Sequence, residues 1–442
     1  MNDNEEKDSE FQFITETIKD KPLDKKKLFE RMLMIVISAA LFGGVAAVVF
    51  SVIVRPMMPN SNEIRVVNIP ADENNLPTLA VSEDSLDEEP SENSVSEDKP
   101  TQIINNITEK VSLTTEDYEQ LYKALGEAVD EAERSIVTVT GVSSDTDWFE
   151  NTVEDASTSA GVIVANNGRE LLILVDSDVT AKADKTTVTF ADGTSAEADI
   201  KKVDHNTGLE IIATPMSSIS EETLNIIAEA KLGNTKTEDL SETPVMAVGR
   251  PLGSSGTSAY GLITSSNRVM NGTDRNFHLV STDIYGSTEG SGAIFNYEGE
   301  VLGIISQKTA SKDAENLICG YCISDLKEII EDLSNGKSAA CLGIEGTDVT
   351  ENAHKEYEVP YGAYVKTVVM GSPAMEAGIQ SGDVITKIGT MEIKNFSDYT
   401  RAIAAGQPDD DAIVTVMRYA RGEYTDMTFD VTYTTLSKSL TN

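Results

Sequence analysis

Apolar and polar positions divide this chain into segments with different periods. Residues 32–54 are apolar almost throughout and carry no charged side chain. As a helix that run would rise about 34 Å, enough to cross the hydrocarbon of a bilayer. Residues 60–112 reverse the balance, being rich in Glu, Asp, Ser, Asn and Pro with few aromatics. Such a stretch has too little apolar surface to offset the entropy of folding, and it reads as a tether. At 115–134 apolar residues return at helical intervals, with Leu121, Leu125, Val129 and Ala132 spaced for one face. From 135 the period shortens. The runs S-I-V-T-V-T-G (135–141), A-G-V-I-V-A (160–165), L-L-I-L-V (171–175), T-V-T-F-A-D-G (187–193) and P-V-M-A-V-G (244–249) read as short strands split by turns. That spacing fits antiparallel β-barrels. A closing helix is predicted at 324–334. From Leu342 onward the chain has its own strand and turn pattern, with one helix near 396–405.

Charge then orients the apolar run. Lys25, Lys26, Lys27 and Arg31 precede it and only Arg55 immediately follows, so the positive-inside rule places the N-terminus in the cytoplasm and everything beyond 55 outside. The run is longer than a signal-peptide core and no A-x-A site follows, which predicts an uncleaved anchor. The division expected is a cytoplasmic tail (1–31), a transmembrane signal anchor (32–54), a disordered acidic linker (55–112) and two folded regions (113–335 and 340–436).

With 74 acidic against 35 basic residues, the net charge is −39. That argues against nucleic acid, whose phosphates would be repelled. Three cysteines, Cys319, Cys322 and Cys341, cannot build a disulfide framework. Cys319 and Cys322 lie three apart in an apolar strand-like run, so their thiols diverge and read as core rather than as a redox pair.

In chain order, Ala160-Gly-Val-Ile-Val, Ala191-Asp-Gly, Leu232-Gly, Ala247-Val-Gly-Arg-Pro-Leu-Gly, Gly261-Leu-Ile-Thr-Ser and Thr282-Asp resemble the landmarks of the HtrA (Deg-type) serine proteases over roughly 115–435. The resemblance implies a mainly β protein: a chymotrypsin-like double β-barrel followed by a PDZ domain, here behind an N-terminal transmembrane helix.

The triad positions depart from that family. Where it has His in a pattern like L-T-N-N-H-V-V, this chain reads L-V-D-S-D-V-T and places Asp178. Where it has Asp in D-x-x-T-D-L-A-V, this chain reads D-H-N-T-G-L-E-I and places Gly208. The nucleophile slot falls on Ser291 counting forward from Thr282 and on Gly290 counting back from Asn296. A deletion in the loop costs less than one inside the strand, which would flip its side chains to the other face, and this favours Gly290. On either register the hydroxyl lacks its base, and an alcohol without one is a poor nucleophile. His205, three residues before Gly208, is the nearest substitute base by the resemblance. Asp176 and Asp178 are too few oxygens for calcium. No metal and no cofactor is implied.

In the last segment Cys341-Leu-Gly-Ile-Glu-Gly resembles the loop that opens a PDZ groove, and G-S-P-A-M-E-A-G-I-Q-S-G-D-V-I-T-K-I-G (371–389) matches a signature of HtrA-type PDZ domains. The resemblance makes Leu342, Gly343 and Ile344 the residues whose backbone N–H groups hold a peptide carboxylate while the next strand pairs with the peptide. The expected function is a membrane-anchored, extracytoplasmic bacterial protein that has lost proteolysis and binds peptide ends or misfolded segments as a scaffold, chaperone or regulator. Family relatives commonly assemble through their protease domains, which implies a homotrimer. Two other readings stay open: an active serine endopeptidase using Ser291 with a non-standard base, and a purely structural ectodomain.

Overall fold

The computed structural model describes residues 65–72, 114–146, 152–236 and 240–436. The charge-free run at 32–54 and most of the acidic stretch to 112 lie outside the described residues. Among the described residues no helix is long and apolar enough to cross a membrane.

Helix α1 (Thr115–Glu133) starts in a capping box, in which the Thr114 hydroxyl accepts from Asp117 N–H and the Asp117 carboxylate accepts from Thr114 N–H. Only the C-terminal half of its apolar face has a core beneath it. Val129 and Ala132 are buried, whereas Leu121 is exposed beside Tyr118 and Tyr122.

Seven strands follow: β1 (Ile136–Thr146), β2 (Thr152–Asn166), β3 (Glu170–Asp176), β4 (Lys185–Thr189), β5 (Ser195–Glu197), β6 (Asp199–Asp204) and β7 (Leu209–Pro215). They form one antiparallel sheet in the order β5-β4-β1-β2-β3-β7-β6. The short helix α2 (Glu221–Ile226), capped by Ser220, leads into the second sheet. Its strands are β8 (Lys231–Leu232), β9 (Pro244–Arg250), β10 (Thr257–Asn271), β11 (Asn276–Tyr285), β12 (Ser291–Phe295), β13 (Glu300–Ser306) and β14 (Leu317–Cys322). The order is β12-β9-β10-β11-β14-β13-β8, and pairing of β12 with β13 closes a barrel. Leu172, Leu174 and Ile211 of the first sheet share one core with Val248, Phe277 and Phe295 of the second. One continuous apolar core therefore joins the two sheets.

Helix α3 (Ile323–Ser334) buries Leu326, Ile330 and Leu333 against that core. Residues 65–72 depart from the tether expected for 55–112. Val67 N–H donates to Asn335 Oδ1 at 3.0 Å, Ile69 N–H to Glu331 Oε2 at 2.7 Å, and Asp72 pairs with Lys327 at 2.5 Å. The cause is local: α3 offers polar partners to the backbone of a segment whose Val67 and Ile69 pack on the core.

Strand β14 carries Cys319 and Cys322, both buried. Burial pushes the Cys319 thiol up and Cys322 up to about 12, so neither supplies a thiolate at neutral pH.

The last region is a separate layer with its own core, including Ile344, Val365, Ile385, Phe396, Tyr399 and Val416. It contains β15 (Ile344–Asp348), α4 (Glu351–Tyr357), β16 (Ala363–Val368), α5 (Pro373–Ala377), β17 (Val384–Ile388), β18 (Met391–Glu392), α6 (Phe396–Ala404), β19 (Asp411–Ala420) and β20 (Glu423–Thr432). The sheet order is β15-β16-β17-β19-β20, with β18 on β17. Strand β15 ends the sheet and leaves one edge unpaired within it, beside α6.

Candidate functional site

Two places gather the residues singled out in the sequence. The first is the barrel cleft. Strand β3 ends at Asp176, whose carboxylate accepts from Asp178 N–H at 2.9 Å and caps a 3-10 turn over Ser177–Val179. Opposite stands Gly208, at φ +71°, in the turn between β6 and β7. Between them lies a residue that the sequence reading did not single out. The Lys308 ammonium is 2.9 Å from Asp176 Oδ1 and 2.8 Å from Asp178 Oδ2, and a Cβ placed on Gly208 would lie 3.5 Å from it. Desolvation pulls the Lys308 pKa down, but hydrogen bonds and charge from Asp178 and Asp176 outweigh this and leave it raised. Lys308 is therefore a cation at neutral pH and cannot accept a proton from an alcohol.

Under this turn Glu210 is buried. Its Oε1 accepts from the Thr180 hydroxyl at 2.5 Å while Oε2 has no partner. Burial raises its pKa, the Thr180 hydrogen bond opposes that rise, and the Asp176 charge adds to it.

The candidate nucleophile has partners of its own. Ser291 opens β12, where its pairing partners are Arg250 and Ser306, and its hydroxyl accepts from Ala160 N–H at 3.0 Å. Gly290 sits in a tight turn, its N–H donating to Ser287 O at 2.9 Å. A side chain there would begin 3.0 Å from Ser287 O and 3.2 Å from Ile318 Cδ1, closer than ordinary packing.

The chain's three histidines lie at other contacts. His205 is exposed and lines a pocket with Thr273, Lys337 and Gly406. His278 bonds Asp325 at 2.8 Å. His354 contacts Val359 O at 2.8 Å and stacks on Tyr361. The structure thus brings Asp178 and Gly208 together around Lys308, and among the described residues no imidazole hydrogen-bonds Ser291.

The second place is the start of the last region. Gly343 has φ +92°, and a Cβ there would fall 2.1 Å from Ser372 Cβ, so only glycine fits. That conformation turns three successive N–H groups toward one point, the concave arrangement that binds anions. The point is filled by the carboxylate of Asp274. Leu342 N–H donates to Oδ2 at 2.8 Å, Gly343 N–H to both oxygens at 3.0 and 2.9 Å, and Ile344 N–H to Oδ1 at 3.0 Å. The Tyr399 hydroxyl, on α6, also donates to Oδ1. Burial, with the Asp274 charge second, pushes the Tyr399 phenol well above its ordinary value.

Comparison with known proteins matches residues 159–304 to the trypsin-like peptidase domain and 340–432 to the PDZ domain. The "Serine protease Do-like HtrA" of Lactococcus lactis subsp. lactis (strain IL1403) is 28% identical over 309 residues, covering 65% of this chain and 73% of the relative. The "Serine protease HTRA2, mitochondrial" of Drosophila grimshawi is 27% identical over 292 residues, covering 61% and 65%. Among solved structures, "HtrA-type protease AlgW with decapeptide" aligns at 20% identity with a TM-score of 0.52, over 70% of this chain and 98% of that one. The chain thus carries a trypsin-like peptidase domain and a PDZ domain, and the relatives it is similar to are HtrA-type serine proteases.

Two residues of these sites, Lys308 and Asp274, have no local signal in the sequence. Lys308 lies 100 residues after Gly208, in the 3-10 turn following β13, and no local pattern links it to Asp178. Asp274 sits in N-G-T-D-R-N (271–276), which reads as a hairpin turn between β runs. Nothing in that turn points to a loop some seventy residues on.

Proposed function

We propose that this HtrA-like protein is proteolytically idle and works by binding chain ends or unfolded segments through its PDZ domain, as a scaffold, chaperone or regulator at the outer face of a bacterial cytoplasmic membrane. The observation that carries the first half is Lys308. A base is needed to take the proton of an attacking hydroxyl, and the ground between Asp178 and Gly208 holds an ammonium clamped by two carboxylates. The Ser291 hydroxyl meanwhile bonds a backbone N–H. The binding half is supported by the ring of N–H groups at Leu342, Gly343 and Ile344, whose chemistry suits a carboxylate, and by the decapeptide that accompanies AlgW in its solved structure. The apolar run at 32–54 with its basic flank supports the anchor and its orientation. The homotrimer implied by the family is part of the proposal, and sedimentation of the full chain in detergent tests it.

Activity is tested with a fluorophosphonate probe and casein. The expected outcome is no labelling at Ser291 and no cleavage above buffer. Labelling at Ser291, or casein hydrolysis that disappears in Ser291→Ala, would establish the endopeptidase reading and overturn this one.

A further inference from the structure

The ring of N–H groups at Leu342, Gly343 and Ile344 already holds a carboxylate of the chain itself. Three features of a bound peptide terminus are reproduced by the hairpin tip between β10 and β11. The first is the Asp274 carboxylate in the ring of N–H groups. The second is a backbone hydrogen bond, Asp274 N–H to Ile344 O at 2.7 Å. The third lies two residues along β15, where the Asn271 and Asn276 side-chain amides donate to Gly346 O at 2.9 and 3.3 Å. Alternate carbonyls on one edge of a strand are the acceptors that an added strand would use. Here two asparagine side chains supply a donor where that strand would place its next N–H.

The tip is held from both sides. Thr400 on α6 donates its hydroxyl to Asp274 O at 3.1 Å, and Lys366 reaches Asn271 Oδ1 at 3.0 Å. From the barrel, Asn206 donates to Thr273 O and accepts from Thr273 N–H, both at 2.9 Å. Asp274 adopts φ +60° to make this fit and is only 6% exposed. Positive φ is a conformation that Asp and Asn tolerate better than most residues.

We propose that the 271–276 hairpin is a built-in ligand of the PDZ groove, so that Asp274 and the terminal carboxylate of an incoming chain exclude one another. A side-chain carboxylate and a chain terminus present the same two oxygens, and both cannot occupy one ring of N–H groups. Because the internal ligand is tethered, it competes at an effective concentration on the order of millimolar. A groove open one part in a hundred binds a free terminus about a hundredfold more weakly than an empty one. Only chain ends at high local concentration, such as exposed termini of unfolded protein, would displace it. The competition rests on the peptide-binding reading above, but the occupancy of the groove does not.

The test therefore has two readouts on the full chain. Hydrogen exchange follows the Leu342, Gly343 and Ile344 amides. Fluorescence anisotropy follows a labelled pool of ten-residue peptides randomised at the last three positions, with free carboxylates, beside the same pool amidated. Asp274→Gly removes the carboxylate and keeps the backbone conformation accessible. Asn206→Ala loosens the tip from the barrel side and leaves the PDZ domain untouched, which covers a folding failure of the first variant. The expected result is exchange at least tenfold faster at all three amides in Asp274→Gly. The carboxylate pool should bind at least tenfold tighter, with no gain for the amidated pool. Asn206→Ala should move both readouts in the same direction by less. Unchanged exchange, or unchanged affinity in a chain that binds the pool, would overturn the built-in ligand and leave peptide binding intact. Faster exchange without carboxylate-pool binding in any variant would remove the peptide-binding reading, and with it the competition.

Discussion

The barrel cleft and the PDZ loop both gather carboxylates, and they balance them by different means. In the cleft, Asp176 and Asp178 are countered by the side chain of Lys308. At the loop, Asp274 is countered mainly by backbone N–H groups of Leu342, Gly343 and Ile344. A site made of side chains lasts only as long as each residue is kept. A site made of main-chain donors needs a conformation, and tolerates change at every position except the one that sets it. Here that position is Gly343. Glu210 shows a third solution, since it is buried with one unpartnered oxygen and its pKa is raised by burial. Burial shifts this carboxyl toward its protonated form, and the Thr180 hydroxyl that donates to it opposes the shift.

Perturbing each solution sharpens the contrast. The largest effect is expected for Gly343→Ala, which combines a left-handed backbone with a contact 2.1 Å from Ser372 Cβ. It should cost about 3 kcal/mol of unfolding free energy in urea and deprotect the 342–344 amides. A stable variant with intact protection would break the claim that conformation alone makes this site. Lys308→Met is expected to cost about 1 kcal/mol or less, since Lys308 and Asp178 are well exposed and solvent screens the pair. It should also leave casein uncleaved. Recovered hydrolysis would mean that the ammonium had been masking an active site. The smallest effect concerns Glu210. Its folded pKa lies above the ordinary 4.5, so the folded state holds the proton more tightly than the unfolded chain. The resulting stability is fully present below 4.5 and is lost as pH rises through the folded value. Glu210→Gln should flatten that decline in urea midpoint against pH; an identical profile would place the titration elsewhere.

Much of the fold was legible because strand and helix periods are local. The runs read at 160–165, 171–175 and 244–249 lie within β2, β3 and β9, the run at 135–141 matches the start of β1 within a residue, and the helices read at 324–334 and 396–405 match α3 and α6 within a residue. Leu121 shows the limit of periodicity, which places a residue on a face without saying whether anything covers that face. The segment 65–72 shows the same limit from the polar side. Its composition suggested a tether, yet Asn335, Glu331 and Lys327 of α3 and its C-cap hold it.

By itself the sequence determined the trypsin-like and PDZ-type scaffold, and it placed Asp178, Gly208, Gly290 and Ser291 in the stretches that resemble the triad segments and Leu342, Gly343 and Ile344 in the loop before β15. Each is written in neighbouring residues or in their order. Tertiary structure alone decided that Lys308 fills the ground between Asp178 and Gly208, and that Asp274 fills the PDZ loop. Both pairings join groups 68 or more residues apart. Such contacts form only when strands from different parts of the chain close side by side, so no local pattern of apolar and polar residues encodes them.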